Sequence, residues 1–280
     1  MVTAVRMLHK GSQSEHGSSK ITTVSESNVQ LVQSLSRGLA VIRAFDAQHP
    51  RQTLAQVAEA TGLPRATTRR FLHTLIAEGY AQSDGSLFWL TPHTLNLGFS
   101  YLSSLGLPDI AQPHLEALSH ALNESCSVSV LDGPDVIYVA RAAANRIMSV
   151  NITIGTRFPA YATSMGRVLL AGLPANELDT YLAAVPLEPI TDQTITDPAA
   201  LRQELAHVAK QGYCIVDQEL EAGLRSVACP IRNAEDQTIA AINVSTRAAA
   251  YTAEELVRKL LPQLNDTALA ITRDVTTTNL

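Results

Sequence analysis

Three arginines and two adjacent threonines crowd between Pro64 and Phe71, inside the stretch TGLPRATTRRFLHTLIAEGYAQSDG that runs from Thr61 to Gly85. A guanidinium forks onto guanine or onto a phosphate, and a threonine bonds a base edge or lays its methyl against thymine, so this set suits the reading of double-stranded DNA. Arg65, Ala66, Thr67, Thr68, Arg69 and Arg70 are the candidate contacts, the small Ala66 letting a helix approach the groove floor. Thr68 also belongs to a second pattern: Thr68, Leu72 and Leu75 recur at i, i+4 and i+7 and so face a core. Of the six it is the one with a competing structural role. The plain alternative is an exposed amphipathic helix with surface arginines.

The elements that position these residues are legible on either side. SLSRGLAVIRAFD puts Leu35, Leu39, Ile42 and Phe45 on one helical face. In TLAQVAEATG, Thr53 and Gln56 form a capping box, Leu54, Val57 and Ala58 supply a buried stripe, and Gly62 ends the helix in a left-handed conformation. A third helix opens at Pro64. A helix, a short glycine-containing turn and a second helix with a polar outward half make a helix-turn-helix. YAQSDGSLFWL then sets Asp84-Gly85 between β-prone runs, the signature of a tight hairpin. Such a hairpin is a wing, and its tip brings Gln82 and Ser83 to the duplex.

With 280 residues, 46% of them apolar and 17% charged, the chain can bury two cores. Its net charge of -5 hides an asymmetry: six arginines face four carboxylates between residues 30 and 100, whereas twelve cations face twenty anions beyond. Polyanion contact is therefore expected from the first hundred residues. No apolar run approaches the roughly 18 to 20 residues of a membrane span and no secretory pattern opens the chain, so the cytoplasm is expected and no membrane partner. Cys126, Cys214 and Cys229 lack CxxC spacing and are expected to be buried thiols. Residues 1–29 read as a disordered arm and 30–93 as the winged helix-turn-helix. Residues 94–109 read as a helical linker, where Leu95, Leu97, Phe99, Tyr101 and Leu102 either support self-association or pack onto the chain's own second domain, and 110–280 as a ligand domain.

From Cys126 onward the apolar period shortens to two. CSVSVLDGPDVIYVARA reads as two strands, RIMSVNITIG as another, and YCIVDQEL, LRSVACPIR and TIAAINVST as three more. Helices are expected from Thr163 to Leu170 and in PAALRQELAHVAKQG and TAEELVRKLLPQLNDTALAITRD. Hairpins and helices without a βαβ rhythm imply an α+β domain on a mainly antiparallel sheet. ATSMG lacks the first glycine of a nucleophile elbow, and in SMGR an arginine stands where a deprotonatable lysine is needed. No catalytic residue, cofactor or metal is therefore expected; a metabolite-acting enzyme with an N-terminal helical regulatory domain is the alternative reading. A binding pocket fits better. Ser164, Met165 and Gly166 open a helix whose N–H groups favour a carboxylate, and Arg141, Arg157 and Arg225 are candidate forks. Ser226, Asn243 and Ser245 are small polar residues in apolar strands, suited to orienting a ligand. Structural ion pairs and ordinary strand alternation account for the same residues.

SLSRGLAVIRAF, TLAQVAEATGLPRATTRRFLHTLIAEGY, GTRFPAYATSMGRVLLAGLP and GYCIVDQELEAGLRSVACPI together resemble IclR-type bacterial transcription regulators, over nearly everything after residue 30. The resemblance is strongest to the branch controlling breakdown of protocatechuate and 4-hydroxybenzoate through β-ketoadipate. It implies operator DNA as partner, a GAF-like effector domain, dimers or tetramers, and a small aromatic or keto acid as effector. It also implies effector contacts at Ser164, Met165, Asp217, Ser226, Asn243 and Ser245. Some relatives carry Gly-Ala at the Ser164-Met165 positions, Cys at Ser226 and Ser at Asn243, so the pocket differs in shape and the effector cannot simply be copied across.

Overall fold

The computed structural model describes residues 31–97, 106–144 and 152–278. The proposed arm at 1–29, together with Phe99, Tyr101 and Leu102, lies outside them. The chain divides into two compact units, Met1–Thr94 and Leu95–Leu280.

The first unit runs α1 (Gln33–Arg43), β1 (Gln52–Thr53), α2 (Leu54–Thr61), α3 (Arg65–Ala77), β2 (Ala81–Ser83) and β3 (Leu87–Leu90). Thr53 Oγ1 accepts the Gln56 N–H at 3.3 Å while Gln56 Oε1 accepts the Thr53 N–H at 2.8 Å. This box fixes where α2 begins and is worth about 1 kcal/mol. Gly62, at φ 65°, ends α2 in the left-handed region. The helix α3 starts one residue later than the sequence predicts, with Pro64 as its N-cap and the Thr68 N–H donating to the Pro64 carbonyl at 2.9 Å. Val41, Val57, Leu72, Leu75, Ala81 and Phe88 close the core.

The apolar face of α1 is covered along only part of its length. Val41 is its buried residue, Ile42 and Phe45 pack partly, and Leu35 and Leu39 are 63% and 44% exposed. Only the C-terminal end of α1 reaches the core, so periodicity groups these leucines without covering them.

The three short strands pair antiparallel in the order β1-β3-β2. Gln52, Phe88 and Ser83 form one cross-strand row, with Gln52 and Phe88 buried, which puts Gln82 and Trp89 on the opposite, outer face. At the tip, Asp84 Oδ1 accepts the N–H groups of Ser86 and Leu87 at 3.0 and 2.8 Å. These bonds, Leu87's foremost, hold the Asp84 carboxyl below its ordinary range.

The second unit contains α4 (Leu107–Leu122), β4 (Ser125–Asp132), β5 (Asp135–Ala142), β6 (Arg157–Pro159), α5 (Ser164–Ala171), α6 (Ala175–Ala184) and α7 (Pro198–Gln211). It continues through β7 (Cys214–Asp217), β8 (Leu224–Arg232), β9 (Thr238–Arg247), α8 (Ala253–Lys259) and α9 (Leu261–Thr277). One antiparallel sheet, ordered β6-β5-β4-β9-β8-β7, carries α4 and α9 on one face and α5 backed by α7 on the other. The α+β class with a mainly antiparallel sheet is as expected.

Period-2 alternation divides each strand between the two cores. Ala240, Ile242 and Val244 of β9 join the α4–α9 side, which leaves Ala241, Asn243 and Ser245 beneath α5. Three local expectations change. Residues 152–155 of the anticipated RIMSVNITIG strand are not strand, those from 146 to 151 lie outside the described residues, and β6 forms instead at Arg157–Pro159. The short helix α6 was not anticipated. The C-terminal helix breaks at Leu260, because Pro262 has no N–H to continue α8 and sits instead in the first turn of α9.

Cys126 and Cys229 lie in one core and Cys214 in the other, each pushed up to about 12 by burial, so they are inert thiols. Helix α5 sits against residues 160–162 so tightly that a β-carbon on Gly166 would fall 2.1 Å from the Ala160 carbonyl oxygen. Gly166→Ala is therefore expected to cost ~3 kcal/mol or more, the upper range for overpacking. Gly62→Ala, strained in φ but open in space, should cost about 1–2 kcal/mol. Urea unfolding followed by circular dichroism compares them; a Gly166→Ala midpoint equal to wild type contradicts the packing argument.

Candidate nucleic-acid interface and candidate ligand pocket

On α3 the inner residues are fixed first. Thr68, at 0% exposure, turns its hydroxyl back onto the Pro64 carbonyl at 3.2 Å. It therefore drops out of the candidate contact set: its side chain is spent on the helix's own first turn and core. Arg65, Ala66, Arg69 and Arg70 are exposed and Thr67 is half-buried. No described carboxylate pairs with Arg65, Arg69 or Arg70. Arg157, Arg167, Arg202 and Arg225, by contrast, each hold one. Exposed guanidiniums that no described carboxylate holds can meet phosphate or a base edge. On the wing, Gln82 is exposed, whereas Ser83 is half-buried and its Oγ accepts the Gly85 N–H at 3.0 Å, tying it to the turn.

Beneath α5 the sheet gathers buried hydroxyls and an amide. Val216, Ser226, Ser245 and Ser125 stand in one cross-strand row; Ala228, Asn243, Ser127 and Arg141 stand in the next. Ser226 Oγ donates to Ser164 Oγ at 2.9 Å, and Asn243 Nδ2 donates to Ser245 Oγ at 3.0 Å. Asn243 Oδ1 is buried with no donor among the described residues. A cavity of about 20 Å³ remains here, with Tyr138, Ser164, Leu220, Ser226, Asn243 and Ser245 among its walls. That is room for about one water. Burial pushes the Tyr138 phenol up to about 12, so it stays protonated. At the mouth of α5, Thr163 Oγ1 accepts the Gly166 N–H at 2.9 Å. The N–H groups of Ser164 and Met165 precede the first i to i−4 bond of the helix.

Ser164, Ser226, Asn243 and Ser245 thus come together, while two of the expected contacts do not join them. Met165 is fully buried, with its sulfur accepting the Ser129 hydroxyl at 3.3 Å, and is absent from the cavity wall. Asp217 is one residue out of step with Val216, so alternation turns it to the opposite face, where it pairs with Arg225 at 2.7 Å. Arg225 also donates to the Ala248 and Tyr251 carbonyls, and Arg157 is committed to Asp132 and Asp135. Arg141 alone of the three candidate forks has no carboxylate partner among the described residues; its Nη1 donates to Ser127 Oγ at 3.0 Å, one strand from Asn243. Ser127 and Ser129 were missed by the sequence reading, although the strict alternation of serine with apolar residues in SCSVSV marks one polar face.

A second feature went unforeseen. Arg167, 1% exposed, forks onto Glu219 with Nη1 to Oε1 at 2.7 Å and Nη2 to Oε2, and its Nε donates to the Tyr161 carbonyl at 2.8 Å. Glu219 Oε2 also accepts the Ile195 N–H at 3.0 Å, and the Glu219 carbonyl accepts the hydroxyl of Thr194 at 2.7 Å. The pair joins α5, the 190–195 loop and the segment after β7 that supplies Leu220 to the cavity. Among the described residues no cluster of His, Cys, Asp and Glu could hold a metal ion, and no helix is long and apolar enough to cross a membrane.

Residues 34–85 match the IclR helix-turn-helix domain, and residues 99–273 match the bacterial transcriptional regulator IclR C-terminal domain. The chain belongs to the IclR family. This IclR-family chain is 47% identical to the Pca regulon regulatory protein of Pseudomonas putida over 243 residues, covering 86% of this chain and 82% of that one. A transcriptional-regulator candidate from Rhodococcus sp. RHA1 superposes with a TM-score of 0.81 at 58% identity, over 89% of this chain and 100% of that one. An IclR homologue from Microbacterium hydrocarbonoxydans, solved with 4-hydroxybenzoate, superposes with a TM-score of 0.78 at 25% identity, over 86% and 98% of the two chains. The chain is a bacterial transcriptional regulator, with its helix-turn-helix in α2 and α3.

Removing one partner of the buried pair isolates its role. Glu219→Ala leaves the Arg167 guanidinium buried without a carboxylate and is expected to cost about 3–5 kcal/mol. Chemical denaturation measures it, and an unchanged midpoint would show that the pair does not hold these segments.

Proposed function

We propose that this IclR-family regulator reads operator DNA through the outer side of α3 and the wing, and responds to a small aromatic hydroxy acid, or a related keto acid, bound beneath α5. Residues 30–93 form the DNA-binding domain, 94–109 the linker and 110–280 the effector domain. The observation that carries the reading is the set of exposed guanidiniums at Arg65, Arg69 and Arg70, which no described carboxylate pairs, on a helix whose other side is locked in the core. Arg65, Arg69 and Thr67 meet base edges or phosphates in the major groove, Ala66 allows close approach, and Arg70 takes backbone phosphate. Six arginines against four carboxylates between residues 30 and 100, a net +2, give one copy weak binding, and two copies on two half-sites gain by effective concentration. The exposed stripe of Leu31, Val32, Leu35 and Leu39 on and before α1 supports self-association, since a second copy would cover it.

An aromatic acid suits the pocket because its two kinds of wall match the two kinds of surface on such a ligand. Ile152, Val216, Leu220 and Leu224 receive the ring, while Ser226, Ser245, Asn243 and the Tyr138 hydroxyl receive polar substituents. The carboxylate is held by the Ser164 and Met165 N–H groups at the start of α5, with Arg141 the nearest uncommitted cation along the Ser127–Asn243 row. The Pca regulon protein and the 4-hydroxybenzoate complex among the relatives support this class and a role in aromatic-acid catabolism. A volume of about 20 Å³ is closed to such a ring, so binding displaces Leu220 and Leu224 and selects a different arrangement of the segment between β7 and β8. That differential affinity is what allows an effector to shift operator occupancy. The chain acts in the cytoplasm by binding, without turnover.

The test uses full-length protein and duplexes it selects from a random pool. Arg65→Ala is expected to weaken the selected duplex by ~1–3 kcal/mol, with little change on scrambled DNA, if the contact is a base-specific fork. In the same titrations 4-hydroxybenzoate or protocatechuate should change the affinity of wild type, and Arg141→Gln should blunt that response. Selection of no duplex at all, or indifference to every aromatic and keto acid tried, contradicts the DNA-binding and effector halves of the reading respectively.

A further inference from the structure

The wing carries its own charge problem. Within the hairpin from Tyr80 to Thr91 the only ionisable carboxylate or cation is Asp84, an exposed anion at the tip fixed by its bonds to Ser86 and Leu87. An anion carried up to a phosphate backbone is repelled, so a wing of this composition needs a cation from elsewhere.

Arg51 supplies one. It directly precedes β1, whose Gln52 pairs with Phe88, so continuing the antiparallel register sets Arg51 beside Trp89. Its guanidinium carbon lies 4.3 Å from the Trp89 ring centroid. Trp89 in turn is the cross-strand partner of Gln82, so cation, indole and amide form a row on the outer face of the wing sheet. Arg51 is exposed and no described carboxylate pairs with it, while its positive field reaches Asp84. Stacking engages the flat face of a guanidinium and leaves its in-plane N–H donors free, the geometry that forks onto phosphate.

We propose that Arg51, held on the Trp89 ring, is a backbone-phosphate contact of the wing that offsets Asp84 and is separate from the α3 contacts. The inference rests on the DNA-binding reading above. A phosphate contact positions the wing and carries no sequence information.

Trp89 is the single tryptophan of the chain, so its emission reports from this site. Full-length wild type, Arg51→Gln, Trp89→Phe and Arg65→Ala are titrated onto the selected and scrambled duplexes across a salt series. Arg51→Gln is expected to weaken both duplexes by the same factor and to flatten the salt dependence by about 0.9 per bound subunit in log–log slope. Between about 50 and 200 mM salt, that makes the loss of affinity roughly threefold smaller per subunit. Trp89 emission should change on DNA binding in wild type and less in Arg51→Gln, and Trp89→Phe should retain most of the slope because a phenyl ring still stacks. An unchanged slope in Arg51→Gln, with Arg65→Ala weakened as expected, overturns the wing contact alone. Absence of binding by wild type overturns the contact together with the reading on which it rests.

Discussion

Burial of one side of α3 governs what the first unit can offer to a partner. Leu72 and Leu75 lie in the core with Val41 and Val57, and Thr68 is drawn in beside them with its hydroxyl returned to the Pro64 carbonyl. At 3.6 residues per turn, that choice leaves Ala66 and Arg70 on the far side and Arg69 on its flank. Nothing in the arginines themselves selects that orientation; the aliphatic contacts do, and the capping box and Gly62 set the turn that delivers α3 to them. The exposed charge is thus a consequence of packing. Rotating the helix would bury several guanidiniums, a far larger penalty than any surface pairing could return.

The second unit works by the opposite rule, since its informative groups are buried polar ones. Serines at 127, 129, 226 and 245 and Asn243 lie beneath α5 in strands whose reverse faces are mainly apolar. Most find partners in one another or in neighbouring side chains; Asn243 Oδ1 does not. A buried amide oxygen without a donor is costly, and a ligand carrying an O–H would satisfy it. The Arg167–Glu219 pair anchors the segment that contributes Leu220, so this wall of the cavity adjoins one of the most firmly tied points in the unit. Motion is then expected beyond the anchor, toward Gly223.

Much of this was readable before any coordinates, wherever the signal was local. Thr53 and Gln56 stand three residues apart, Asp84-Gly85 falls between two β-prone runs, and the alternation in LRSVACPIR and TIAAINVST already sorts Ser226, Asn243 and Ser245 onto one side. What failed needed distance or surroundings. Leu35 and Leu39 share a helical period with Ile42, but a period says which residues go together and not what covers them. Arg167 and Glu219 are 52 positions apart, and SMGR was weighed only for a base that arginine cannot be. Asp217 entered through family resemblance, and the parity of Cys214 and Val216 in the same strand already argued against it. Arg51 was invisible because its meaning comes from Trp89, which the hairpin and β1 bring beside it.

Site-directed photocrosslinking tests the central claim most directly. A photoreactive residue in place of Ala66, exposed in the first turn of α3, is compared with one at Glu78, exposed beyond the far end of α3. The account predicts a covalent adduct to selected duplex from position 66, abolished by excess unlabelled duplex, and little or none from 78. Equal labelling from both positions, or none from 66 while the protein is bound to DNA, would contradict it.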